Sequence, residues 1–468
     1  MQQVSLASSS LVDPLVQYIL PSLPVASLAA LASTCTSLRT VLADLDGLWR
    51  SAASALLPSS HPSLATSSRV AVQHALNCYL SAERNIRAGK LPRQTCITAQ
   101  HCNLRCKSVL FSPDGQKLLV QREPSREQSP ELVPSRACGQ YCLSVYNAFT
   151  GEQVQHRDWC HETMVGLVGL ELQWSADSIH VVIMDRHTGV VSRWDSCSNQ
   201  CTVTCRLGPA LGLLANWQLS LSNNGTFAVA FCDGRTFMTE LAAYIFDATT
   251  GKMTMTMSHA QLLGIRPLAP LIDPSNTRVA VASGVYQLDS GAHLLSYSVE
   301  NIQGWCWSKL GNLLAVYGDS SSDITSVDLI DVGRQMSERQ FPLFSNHHPS
   351  VFSSECDAYL YRGRIYDVSG GAPISIPIMK VCRGEIGRWS PDGMFIFCVL
   401  DDPGDGQIAI FDRKSGAMQL TFSIGRQNCM SSRSMAFNPQ GYILACPEYR
   451  HDNIFLLQFA SDIAGQIA

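Results

Sequence analysis

The chain has 468 residues, 46% of them hydrophobic and 15% charged, with a formal net charge of −4. A balance so near neutral speaks against a general nucleic-acid or membrane-surface role, so neither is expected as a partner. The length gives room for one large repeat domain beside a small one.

The first ten residues, MQQVSLASSS, read as a flexible N-terminus. They hold no Lys or Arg ahead of the first apolar segment, and Asp13 interrupts that segment, so no secretory signal is expected. No stretch approaches the roughly 18 apolar residues of a membrane span. The 18 cysteines are scattered through apolar runs such as LNCYL at 76–80 and FIFCVL at 395–400. They read as reduced, buried small hydrophobes of a cytoplasmic or nuclear protein.

Residues 11–50 carry helical spacing. Leu11, Leu15, Ile19 and Leu23 recur every fourth residue, and Leu28, Leu31, Cys35, Leu38 and Leu42 continue at three and four. Pro21 and Pro24 divide the pattern into a short helix and a longer one. Two or three helices in about 40 residues bury little by themselves, so the apolar face calls for a partner.

The stretch ILPSLPVASLAALASTCTSLRTVLADLDGLWR at 19–50 resembles an F-box. Ile19, Leu20, Leu23, Pro24, Leu28, Leu31, Cys35, Leu38, Arg39, Leu48 and Trp49 match the family pattern, and Val12 stands where that pattern has proline. The resemblance implies that Leu11, Leu15, Ile19, Leu20, Leu23, Pro24, Leu28, Leu31, Leu48 and Trp49 dock a Skp-type adaptor, and through it a cullin–RING ubiquitin ligase. Residues 51–94 follow as a helical linker. Within them LNCYLSAERNIRAGKL at 76–91 is similar to the linker of F-box/WD-repeat proteins. Asn85, Arg87, Gly89 and Lys90 match it, with Ile86 in place of the usual Trp.

From residue 95 the pattern changes to short apolar runs that follow an aromatic-Ser turn. The turn residues are Ser112, Ser175, Ser222, Asp273, Ser308, Ser353, Ser390 and Asn438, about 47 residues apart on average. LFSPDG at 110–115 and RWSPDG at 388–393 write the same turn twice. A second element recurs downstream of most of these turns, an apolar residue, usually an aromatic, then Asp. RWDSCS at 193–198, IFDATTG at 245–251, LIDVG at 329–333, IYDVSGG at 365–371 and IFDRKSG at 410–416 are its copies. Turn, strand, polar gap and second strand repeated at this period describe four-stranded antiparallel units stacked radially.

This part resembles the WD-repeat family, with Trp194-Asp195 spelling its dipeptide, although the family's Gly-His is missing. The fold expected is mainly β, a closed β-propeller over 95–462 with eight blades favoured over seven, preceded by the small all-α F-box and linker. Seven would result if the short fourth and sixth units merged with neighbours. TCITAQH at 95–101 is placed to complete the last blade, and 463–468 form a C-terminal tail.

Catalytic chemistry is not in view. No GxSxG elbow, phosphate loop or dinucleotide fingerprint is present, so no catalytic residue, cofactor or metal site is expected and the chain reads as a non-enzyme. Cys197, Cys201 and Cys205 lack zinc-site spacing, and four-residue steps along a strand put their ends on one side, as core cysteines. His101, Cys102 and Cys106 read likewise, and DDPGDG at 401–406 reads as a solvated hairpin tip. The polar stretch 121–140 reads as a disordered loop within the first unit.

Arginines occupy gaps between the second and third strands of three units: Arg186, Arg235 and Arg362. Converging on one face, they would bind an acidic or phosphorylated protein segment through forked hydrogen bonds. The two halves together imply the substrate-recognition subunit of a ubiquitin ligase, with an unknown protein as substrate. The rival expectation is a propeller scaffold unrelated to ubiquitin, with residues 11–90 as a helical cap.

Overall fold

The computed structural model describes residues 78, 80–98, 104–124, 140–160, 170–185, 189–207, 216–222, 226–233, 243–257, 270–281, 284–297, 302–308, 311–319, 325–343, 351–353, 357–361, 364–367, 374–376, 387–402, 405–426, 435–439, 442–448 and 453–460. Among the described residues one helix, α1 (80–87), precedes 32 strands.

The strands form eight sheets of four antiparallel strands each. Sheet 1 is β2 (Leu104–Phe111), β3 (Lys117–Pro124), β4 (Gln140–Asn147) and β5 (Gln153–Cys160). Sheet 2 is β6 (Leu170–Trp174), β7 (His180–Asp185), β8 (Val190–Asp195) and β9 (Cys201–Arg206). Sheet 3 is β10 (Asn216–Leu221), β11 (Phe227–Asp233), β12 (Ala243–Asp247) and β13 (Met253–Met257). Sheet 4 is β14 (Leu271–Ile272), β15 (Arg278–Val281), β16 (Gly284–Gln287) and β17 (His293–Leu295).

Sheet 5 is β18 (Ile302–Trp307), β19 (Leu313–Asp319), β20 (Thr325–Asp331) and β21 (Met336–Leu343). Sheet 6 is β22 (Val351–Phe352), β23 (Ala358–Tyr361), β24 (Arg364–Asp367) and β25 (Ile374–Ser375). Sheet 7 is β26 (Arg388–Trp389), β27 (Phe395–Asp402), β28 (Asp405–Asp412) and β29 (Met418–Arg426). Sheet 8 takes β30 (Ala436–Phe437), β31 (Ile443–Pro447) and β32 (Ile454–Gln458) from the end of the chain and β1 (Arg93–Ile97) from its beginning. There β1 pairs antiparallel with β32, Thr95 opposite Leu456 and Ile97 opposite Ile454. The short fourth and sixth units thus keep sheets of their own.

The eight turn residues read from the sequence play one role. In each, the backbone N–H donates to the carbonyl of the residue five further on, at 2.8–2.9 Å, closing the first hairpin of the sheet. All eight are buried, none more than 8% exposed. A buried N–H needs an acceptor, and the side chain supplies one. Ser112, Ser222, Ser308, Ser353 and Ser390 accept from the returning strand's first N–H at 2.8–3.1 Å, and Asp273 does the same at 2.8 Å.

The recurrent Asp also has a structural task. Asp195, Asp247 and Asp412, with Asn147 in sheet 1, each accept two backbone N–H groups at 2.7–3.1 Å across the turn into the fourth strand. The aromatic before the turn serine ties neighbours together. Trp174 Nε1 donates to Leu110 O of sheet 1, and Trp307 Nε1 to Leu271 O of sheet 4, both at 3.1 Å.

Where both faces of a sheet meet another sheet, as in sheet 2, alternate residues of one strand serve two seams. In β7, Val181 and Ile183 pack with Leu119 and Val145 of sheet 1, while Val182 and Met184 pack with Ala228 and Phe246 of sheet 3. Apolar clusters likewise join sheets 3 and 4, 4 and 5, 6 and 7, 7 and 8, and 8 and 1. Hence the strands read as continuous apolar runs with little alternation.

Several sequence expectations are corrected. β3 runs on to Pro124 and β4 begins at Gln140, so strand claims both ends of the stretch read as a loop, and 125–139 lie outside the described residues. β1 begins at Arg93, two residues inside the expected linker. Of the ten cysteines whose side chains are described, all free thiols, Cys142, Cys398 and Cys446 are buried while Cys96 and Cys197 are exposed. Cys201 and Cys205 do not share a face: the pairing of β8 with β9 slips between Val191 and Ser192, so Cys201 packs in the sheet 1–2 seam and Cys205 in the 2–3 seam. Cys197 sits in the turn ahead of both.

Candidate functional site

The described part of the linker is a built joint. Ala82 and Ile86, four apart on α1, are both 0% exposed, packed with Phe395 and Phe397 of sheet 7 and Tyr442 and Phe459 of sheet 8. Ile86 is thus a fully buried aliphatic anchor of the helix. Between these residues Asn85 Nδ2 donates to Phe459 O at 2.9 Å. Arg87 Nη1 meets Asp412 Oδ2 at 2.8 Å, its Nε meets Glu83 at 3.0 Å, and its guanidinium lies 5.3 Å over the Phe395 ring.

The helix then stops in a defined way. Lys90 N donates to Asn85 O and Gly89 N to Ile86 O, at 2.9 and 3.0 Å. That is a Schellman cap, which requires a left-handed residue, and Gly89 has φ +67°. All four matching linker residues thus have a role: a clamp, an ion pair, a cap and the residue that closes it. Asp412 is the residue that also caps the turn after β28. Burial pushes its carboxyl up, but hydrogen bonds from Ser415 and Arg87 and the Arg87 charge hold it below the ordinary carboxylate range.

The adaptor-binding candidates Leu11, Leu15, Ile19, Leu20, Leu23, Pro24, Leu28, Leu31, Leu48 and Trp49 lie outside the described residues. So do Arg186, Arg235 and Arg362, as do His101 and Cys102. In chain order Arg186 follows β7, Arg235 follows β11, and Arg362 falls between β23 and β24, the second-to-third-strand step of sheets 2, 3 and 6. The DDPGDG stretch is a hairpin tip whose pairing runs out to Asp402 opposite Asp405.

One polar group escaped the sequence reading. In sheet 1 Cys142 and Ser144 of β4 stand opposite Asp158 and His156 of β5, beside Arg122 of β3. Cys142 Sγ and Ser144 Oγ lie 3.4 and 3.2 Å from His156 Nδ1, and His156 Nε2 lies 3.2 Å from Asp158 Oδ1. Burial pushes the Cys142 thiol up, against the pull of Ser144 and Arg122. The signal was present as two alternations, Cys-x-Ser and His-x-Asp, and only the strand register brings them together.

No family model matches the chain, and no curated protein matches it in sequence. Solved structures do. The Dos1 propeller superposes with a TM-score of 0.51 at 10% identity, covering 79% of this chain and 95% of that one. A computationally designed protein, Ika8, superposes with a TM-score of 0.50 at 14% identity, over 77% of this chain and 98% of that one. Identities this low establish the fold alone: the chain is a β-propeller protein.

Proposed function

We propose that the eight sheets close into one eight-bladed ring, and that the chain is the substrate receptor of a Skp–cullin–F-box ubiquitin ligase. In this reading the N-terminal 11–50 dock the adaptor and the propeller holds the protein to be modified. The chain contributes proximity and orientation, and no covalent step of its own. Its place is the cytoplasm or nucleus.

What carries the reading is the joint at α1. A receptor must hold its docking segment at a fixed angle to its substrate face, and a bare tether would not need a part-buried clamp, an ion pair and a Schellman cap in one turn and a half of helix. The pairing of β1 with β32 supports ring closure, since it ties the first strand to the last.

Affinity-tagged full-length chain should co-purify with a Skp-type adaptor, and Leu23→Asp or Leu31→Asp should abolish capture without moving the melting temperature of the propeller. If wild-type chain captures no adaptor, the ubiquitin reading falls and a propeller scaffold with a helical cap takes its place. For the other end we infer that Arg186, Arg235 and Arg362 receive an acidic or phosphorylated segment of the substrate. Charge reversal at any one should weaken substrate capture and leave adaptor capture unchanged; equal capture by all three variants would remove that assignment.

A further inference from the structure

Arg122 is one of the largest fully buried side chains of the protein, 1% exposed. Its Nη1 donates to Ser144 Oγ at 3.3 Å, and its guanidinium lies 5.7 Å over the Tyr146 ring. Among the described residues, Nε and Nη2 have no hydrogen-bond partner. Those two nitrogens carry the parallel N–H pair of the guanidinium's side edge, the fork that matches the two oxygens of a carboxylate. Leaving such donors buried and unmet costs more than most single contacts return. The fork calls for an acceptor.

The neighbourhood decides what kind. Val120, two residues before Arg122 on β3, packs in the seam between sheets 1 and 8, with Leu118 and Tyr146. Strand alternation puts Arg122 on that side. Cys142, at 0% exposure, and Ser144, at 1%, line the buried end, while the side chains of His156 and Asp158 are 25% and 54% exposed and open the cluster to solvent.

Two occupants have to be weighed. Cys142 Sγ, Ser144 Oγ and His156 Nδ1 stand 3.2–3.5 Å from one another, about the edge of a tetrahedron around a zinc-sized cation. A divalent cation there would share Ser144 Oγ with a fixed guanidinium and add positive charge beside one whose Nε and Nη2 are unmet among the described residues. Charge therefore favours an anion. The planar, two-pronged fork favours a carboxylate over a tetrahedral oxyanion.

We propose that the sheet 1–sheet 8 seam holds a carboxylate-binding site, with the Nε/Nη2 edge of Arg122 as its fork, Ser144 and Tyr146 fixing that guanidinium, and His156 at its mouth. This stands independently of the ubiquitin reading, because it rests on the buried fork alone.

The test follows the melting temperature of the full chain against acetate, with chloride exchanged to keep ionic strength constant and inorganic phosphate as a second probe. Wild type should gain stability saturably with acetate. Arg122→Gln, which keeps the length and loses the charge, should show no saturable gain. Arg122→Lys, which keeps the charge and loses the fork, should raise the half-saturating acetate concentration at least tenfold and so stay informative if the Gln variant fails to fold. Identical curves in acetate and chloride for wild type and for the Glu127→Gln/Glu131→Gln double variant alike, a saturable gain retained in Arg122→Gln, or an unshifted half-saturation in Arg122→Lys, would overturn the site. Saturation by phosphate below acetate would overturn the carboxylate assignment. A double variant, Glu127→Gln with Glu131→Gln, separates the sources: if it alone turns a flat wild-type curve into a saturable one, the acceptor is the chain's own and no external ligand is needed.

Discussion

Arg87 is 40% exposed along its side chain, yet its partner Asp412 is only 5% exposed, and the asymmetry decides what each substitution does. Arg87→Met keeps the stem over Phe395 but leaves a buried carboxylate short of its cation, with an expected loss of about 1–3 kcal/mol in urea unfolding. Asp412→Asn also weakens the turn after β28, since the carboxylate accepts from Lys414, Ser415 and Arg87 together.

The turn carboxylates give the protein an acid sensitivity whose sign is fixed. Asp177 and Asp412 are pushed up by burial, yet their hydrogen bonds win and both end below the ordinary value. Hydrogen bonds from Ser198 and from the Cys197 and Ser198 amides hold Asp195 down at about 2, and those from Thr250 and Thr249 lower Asp247. A carboxyl more acidic in the folded state stabilises the fold above its unfolded pKa of about 4 and loses that contribution as pH falls through the folded value. Unfolding free energy should therefore be flat from pH 7 to 5 and fall between pH 4 and 2. Asp412→Asn should make that fall shallower, and an unchanged slope would show that the Asp412 carboxylate does not contribute.

At the scale of the element, α1 is two turns long and could not persist alone, because nucleation is costly and eight residues repay little of it. Packing holds it. Ile86→Ala should cost about 2–5 kcal/mol of the helix's docking, and Gly89→Val should fray its C-terminal end by straining a left-handed residue. Both are measurable as lost hydrogen-exchange protection across 80–90, with the central strands β27 and β31 unaffected.

The sequence made the hairpins plain for a reason visible in them. A buried turn N–H needs a small acceptor at one position, so Ser, Asp or Asn recurs there and the repeat can be seen. What escaped were features set between distant segments: the slip in β9 that turns Cys201 and Cys205 to opposite seams, and the grouping of Arg122 with His156, 34 positions on. Neither leaves a periodic trace, because register is decided by pairing.

For the molecule as a whole, the outermost position of sheet 8 is the weak point. β32 is flanked by β31 on one side and β1 on the other. A chain beginning at residue 93 keeps that pairing and should unfold in one cooperative step, losing only what α1 contributes through Ala82, Asn85, Ile86 and Arg87. One beginning at residue 99 leaves the edge of β32 bare, and should aggregate or melt well below it. Equal melting temperatures for the two would mean that β1 does not hold sheet 8 together.

The same pairing sets an order of events on the ribosome. β1 and α1 leave the exit tunnel early, but their partners, Phe395, Asp412, Leu456 and Phe459, are more than 300 codons away. At roughly 5–20 residues per second that is a wait on the order of tens of seconds. Through that interval the first strand has no mate and the helix no bed, while sheets 1 to 6 have all their own strands. A nascent chain of this protein therefore lays down most of its propeller before its N-terminal region can be aimed. A message broken before codon 387 yields the strands of sheets 1 to 6 and an N-terminal segment with none of the partners that fix its direction.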